Sequence, residues 1–158
     1  MKKTKKYRPN VAAIVLSSAY PFACEIFIAR RSDMDGIWQF PQGGIDEGED
    51  ARAALLRELK EEIGTDKVEI IAEYPKWLSY DFPDKVVSKM YPYDGQIQRY
   101  FLVRLKPSAT INIRTKNPEF DAYRFVQARE ISKWINHFKK RLYLEVLGYF
   151  EEKGYIGC

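Results

Sequence analysis

Near its start the chain carries two apolar stretches, "NVAAIVLSS" and "EIFIAR", rich in β-branched residues and separated by the turn-forming run Ser-Ala-Tyr-Pro; they predict a pair of strands. "GIWQFPQGG" predicts a short strand ending at Pro41 and a Gly-Gly loop. From Asp50 to Ile63 the apolar positions Leu55, Leu56, Leu59 and Ile63 recur at helical spacing, with Asp50 placed as an N-cap and Gly64 just past the end. "KVEIIAEYPKWLSY" predicts strand, Phe82 to Gly95 a Pro- and Gly-punctuated loop, and "QRYFLVRL" and "AYRFVQ" further strands. Glu130 to Lys153 reads as a C-terminal helix closing at Gly154. Strands and helices mix without a regular βαβ alternation, so an α+β or irregular α/β fold is expected. Without repeat, low-complexity tract or linker, residues 1–158 are expected to form a single domain.

The helix carries an electrostatic problem. Glu58, Glu61 and Glu62 fall on the arc beside its apolar stripe, three and four residues apart. Like charges at that spacing cost an isolated helix roughly 0.2–0.5 kcal/mol per pair, and only Arg57, four residues before Glu61, offers relief on the helix itself. One reading is a solvated acidic face. The other is a divalent cation, because carboxylates bordering a core are raised in pKa by desolvation and mutual repulsion, and clustered carboxylate oxygens suit hard Mg²⁺ or Mn²⁺.

Composition narrows the class without deciding between those readings. The 158 residues are 46% hydrophobic and 30% charged, which excludes a disordered or fibrous chain. A net charge of +4 fits a polyanionic partner and fits a soluble surface equally well. Cys24 and Cys158 give no disulfide framework and no C-x-x-C spacing, and with one histidine, His137, a His/Cys zinc site is nearly excluded. A reducing cytoplasm is the simplest compartment. "MKKTKK" followed by "VAAIVL" imitates a signal peptide, but the apolar core is too short and is broken by Ser17, Ser18 and Pro21. No run approaches transmembrane length.

Reading upstream of the helix changes the picture. Gly43, five residues, Glu49, seven residues and then "RELKEEIG" place Gly43, Glu49, Arg57, Glu58, Leu59, Glu61, Glu62 and Gly64 in the register of the Nudix hydrolase signature, which the chain therefore resembles. Thr65 stands where the signature usually has a bulky aliphatic residue. The further motifs "YRPNV", "WQFPQGGIDEGE", "DGQIQRYFL", "PEFDAYRFV" and "FKKRLYLEV", in this order, resemble the bacterial RNA 5′-pyrophosphohydrolases, also described as dinucleoside polyphosphate hydrolases.

The resemblance implies an α/β/α sandwich with a mixed sheet and a loop-helix-loop that holds one to three Mg²⁺ ions, Mn²⁺ being a possible substitute. It implies Glu58, Glu61 and Glu62 as metal ligands with the backbone carbonyl of Gly43, and an Arg57–Glu49 pair that holds the loop, Gly43, Glu49 and Gly64 being structural. Glu119 is the candidate for a last carboxylate, as ligand or base; the alternative is a loop carboxylate capping the next strand. The implied reaction removes pyrophosphate from the 5′-triphosphate of RNA and so initiates mRNA decay, or splits a dinucleoside polyphosphate to ATP and AMP. Arg8, Arg31, Gln96, Gln98, Lys139 and Lys140 match positions that contact phosphates or bases, although relatives often carry lysine near Gln98. Phe138 could stack on the first base, and Trp38 is expected at the site's edge. Against this, "FKKR" could be a solvated face, Phe138 a core anchor and Trp38 simple core, while His137 is expected to be non-catalytic. A monomer in the cytoplasm completes the expectation.

Overall fold

The computed structural model describes residues 4–157. The first strand, β1 (Tyr7–Leu16), is buried from Asn10 onward, and its alternate residues enter two different cores. Val11, Ala13 and Val15 face one side with Ala54, Leu55, Leu59 and Ile63 of helix α1 (Ala51–Ile63). Ala12, Ile14 and Leu16 face the other with Tyr143, Val146, Leu147 and Phe150 of the last helix, α4 (Lys140–Glu152). A strand covered on both faces needs apolar residues at every position, which explains the unbroken "VAAIVL". The result is the expected α/β/α layering.

The sheet is mixed. β1 runs parallel to β7 (Gly95–Leu105) and antiparallel to β2 (Glu25–Arg31) and β4 (Gln42–Gly44). β3 (Trp38–Gln39) and β8 (Phe120–Gln127) pair with β2, while β5 (Val68–Glu73) and β6 (Leu78–Asp81) pair with β7. Helix α1 has the expected caps. The Asp50 carboxylate accepts the Ala53 N–H at 2.8 Å, and Gly64 adopts φ 80. A Cβ at Gly64 would also lie 2.6 Å from the Asn112 carbonyl oxygen, so both conformation and space require glycine there.

Three expectations are corrected. The stretch 67–80 is not one strand: it breaks between β5 and β6 at Pro75, which has no N–H to give to the ladder. The loop from Phe82 contains a short helix, α2 (Asp84–Val87). The C-terminal helix is also interrupted. A 3₁₀ turn (Ala128–Glu130) leads into α3 (Ile131–Trp134), and Ile135 then takes an extended backbone, φ −98 and ψ 115, that buries its side chain. α4 begins only at Lys140, which leaves His137, Phe138 and Lys139 on a non-helical crossing. Cys24 is buried and is not a free thiol, and Cys158 lies outside the described residues. Among the described residues, no helix is long and apolar enough to cross a membrane.

Candidate active site

The signature loop, helix α1, the turn after β2, the α2 segment and the crossing before α4 enclose a cleft of about 920 Å³. Its lining brings together Gly43, Glu58, Glu61 and Glu119 with Arg8, Arg31, Gln96, Phe138 and Lys139, residues from widely separated stretches of chain. The helix supplies the carboxylates, and the loop before it is tied down by one guanidinium. Arg57 donates from Nε and Nη2 to the two oxygens of Glu49, each at 2.8 Å, and from Nη2 to the Gly44 carbonyl at 2.8 Å. Its Nη1 reaches Glu58 at 2.8 Å and Glu61 at 3.3 Å. The guanidinium, helped by the Asp46 N–H, holds the Glu49 carboxyl down to about 2.

Glu62 is the buried member, 3% exposed. One of its oxygens accepts the Gln42 N–H at 3.1 Å, and the other, Oε1, has no protein partner. Burial foremost, then the facing carboxyl of Glu119 and that of Glu58, push its pKa well above the ordinary value. Glu58 is also raised, by burial foremost, with Arg57 opposing. The Glu58 carboxyl occupies the space above Gly43, where a Cβ would lie 1.9 Å from its Cδ. Among the described residues, no three acidic, His or Cys side chains yet enclose a point as a finished metal cage, since Arg57 draws Glu58 and Glu61 to itself. The donor set nevertheless fits a hard divalent ion: an orphaned buried carboxylate oxygen, a second carboxyl facing it, and two more at the cleft wall.

The opposite wall is basic. Lys139 is buried, donates to Gln42 Oε1 at 2.7 Å and stands 5.5 Å from the Tyr80 ring. Burial first, then Arg31, lower its pKa to about 7. Arg31 is held by Asp33 through two bonds of 2.8 and 2.7 Å, and the Arg8 guanidinium lies over Gly44. Phe138 is 49% exposed and meets Tyr80 edge-on at 5.2 Å.

Other expected residues stand back from the cleft or meet it with polar groups already bonded elsewhere. Gln98 is fully buried; it donates to Asn10 and Gln42 and accepts from Tyr100, so it reaches the cleft only through Asn10 and Gln42, which line it. Gln96 lines the cleft, with its Oε1 taken by the Tyr80 hydroxyl. Trp38 packs on Trp134 and Arg30 beyond the cleft wall, and Lys140 opens α4 outside it. His137 lines the cleft, its Nε2–H donating to the Trp38 carbonyl at 2.9 Å and its Nδ1 accepting the Lys139 N–H at 3.3 Å. That pattern specifies a neutral ring whose orientation is fixed by its two partners. Gln42, which joins Lys139, Gln98 and Glu62, was not singled out from the sequence, although it stands inside the quoted "WQFPQGG"; its proximity to Lys139 is purely tertiary.

Residues 6–146 match the NUDIX domain family, and the chain belongs to it. Members of this family generally use divalent metal ions. Among particular proteins, the chain is 75% identical over 156 residues to an RNA pyrophosphohydrolase of Campylobacter jejuni subsp. doylei, covering 99% of this chain and 100% of that one. It is 63% identical over 152 residues to an RNA pyrophosphohydrolase of Nitratiruptor sp., covering 96% of this chain and 98% of that one. The fold is similar to that of the E. coli dihydroneopterin triphosphate pyrophosphohydrolase, with a TM-score of 0.71 at 19% identity over 91% of this chain and 99% of that one.

Proposed function

We infer that the protein is a Mg²⁺-dependent RNA 5′-pyrophosphohydrolase of a bacterial cytoplasm, and that it initiates mRNA decay by converting 5′-triphosphate ends to monophosphates. The observation that carries this reading is the full-length likeness to relatives named for that activity. The cleft supports it, because acidic and basic walls face each other as a charged phosphate chain with its counter-ion requires.

In this reading Glu58, Glu61, Glu62 and Glu119, with the Gly43 carbonyl, hold the metal. When bound, Mg²⁺ neutralises phosphate oxygens and lowers the pKa of an attacking water. Arg57 and Glu49 fix the loop that presents Gly43 and Gly44. Arg8, Arg31 and Lys139 take the phosphates, Gln96 borders them, and Phe138 stacks on the first base, a contact worth about 1–3 kcal/mol. Water adds across the α–β phosphoanhydride, leaving a 5′-monophosphate on the RNA and releasing pyrophosphate.

The test is hydrolysis of a short 5′-triphosphorylated RNA with Mg²⁺, run beside diadenosine tetraphosphate at equal concentration. A higher kcat/KM on RNA, and a Phe138→Ala change that lowers RNA turnover more than dinucleotide turnover, are the expected results. Cleavage of the dinucleotide alone would move the function to dinucleoside polyphosphate hydrolysis at the same site.

A further inference from the structure

The wall formed by the α2 segment has no part in the chemistry above, yet it faces the cleft. Pro83, Lys85, Val86, Lys89 and Met90 all line it. Val86 and Met90 pack with Tyr80 and Phe82, and Tyr80 in turn meets Phe138, so this wall continues directly from the proposed base platform. Lys89 and Asp33, on the turn after β2, both line the cleft, and the lysine's charge helps to hold the Asp33 carboxyl below its usual pKa. Just beyond, Tyr91 exposes 85% of its surface. An exposed large aromatic residue beside two lysines is the pairing by which proteins hold single-stranded nucleic acid, bases on the ring and phosphates on the cations.

We propose that Lys85, Lys89 and Tyr91 form a binding track for the RNA chain downstream of the first nucleotide. The proposal rests on the RNA reading of the site and deepens it. A mononucleotide or a dinucleoside polyphosphate fills the cleft floor and stops at Phe138. A longer RNA continues past Phe138 onto the α2 wall, where the lysines neutralise its internal phosphates and Tyr91 stacks on a base. The track therefore selects a chain over a nucleotide, without touching the reacting phosphates.

The test uses direct binding as well as turnover. Fluorescence anisotropy would follow a labelled 8-nucleotide RNA bearing a 5′-monophosphate, over a salt series, with wild type, K85A/K89A, K85R/K89R and Y91A. We expect K85A/K89A to bind at least 10-fold more weakly, with the slope of log affinity against log salt reduced by about 1.4, as loss of two phosphate contacts on a single strand requires. K85R/K89R should bind within 2-fold of wild type and Y91A several-fold more weakly with an unchanged slope. In turnover, the lysine variant should lose kcat/KM on the triphosphorylated 8-mer through KM, while cleavage of diadenosine tetraphosphate stays within 2-fold. Equal binding by wild type and K85A/K89A, or an equal loss on both substrates, overturns the track. If the lysines govern RNA binding while no triphosphorylated RNA is hydrolysed, the track stands and the activity assigned to the site is what fails.

Discussion

Arg57 grips Glu49 with two parallel bonds of 2.8 Å and, from the same guanidinium, holds the Gly44 carbonyl and the carboxylates of Glu58 and Glu61. One side chain thus ties the loop before the helix to the acidic face of the helix. Its planar fork is what permits this; a lysine ammonium is a single point charge without the paired geometry.

Arg57→Lys should therefore keep the charge and lose the alignment. We expect kcat/KM to fall by about 10²-fold, the scale of a 1 Å misplacement at a reacting centre, with little change in circular dichroism or Tm. Unchanged turnover would show that the loop holds its position without the fork.

Glu62 separates stability from function. Its folded pKa is raised, so the native state binds the extra proton, and its contribution to stability is greatest below about pH 4.5 and falls as pH rises through the folded pKa. Glu62→Gln cannot ionise and should abolish that decline, leaving the chelator-treated variant at least as stable as wild type at pH 7 in urea unfolding. Activity should fall by orders of magnitude, and Mg²⁺ should stabilise wild type more than the variant. A variant that turns over normally would remove Glu62 from the metal site.

Gly43→Ala tests a close approach. The new Cβ would fall on the Glu58 carboxyl, the movable end of a flexible side chain, so the chain should still fold. The carboxyl itself must move. The expected outcome is a Tm near wild type with a raised Mg²⁺ requirement and at least a 10-fold lower kcat. A variant with lost fold and activity together would show that the backbone, and not Glu58, cannot adapt.

Lys139 predicts the opposite pH trend. With its folded pKa lowered to about 7, the unfolded state holds more protons between pH 7 and about 10.5, so this group makes stability rise with pH across that window. Lys139→Met should flatten the rise, as urea midpoints at pH 7, 8.5 and 10 would show. An unaltered slope would mean that the ammonium is better solvated than its burial implies.

Helix α1 and its carboxylates were legible because everything that defines them is local: the apolar spacing, the Asp50 cap, Gly64 and the run of glutamates. Glu119 could be proposed but not placed, since nothing near it in the chain announces that it faces Glu62. Lys139 could be named as basic but not as buried. Its position follows from the break at Ile135, from the His137 bond to the Trp38 carbonyl and from Gln42, contacts that join residues about a hundred positions apart. The burial of Gln98 was hidden for a similar reason: its amide is bonded to Asn10, Gln42 and Tyr100, partners that are distant in the sequence or unmarked by it.

The parallel pairing of β1 with β7 has a consequence for the order of events as the chain is made. β1 meets β2 at the single register pair Leu16↔Ile26, whereas it lies along β7 from Tyr7↔Gly95 to Leu16↔Arg104. As it is made, β1 therefore waits for some ninety residues to follow before its main partner exists. The signature helix emerges within that wait, and Glu119, Phe138 and Lys139 come later still. A nascent chain has all its helical glutamates long before it has a cleft, so the activity can switch on only after Lys139 has been added.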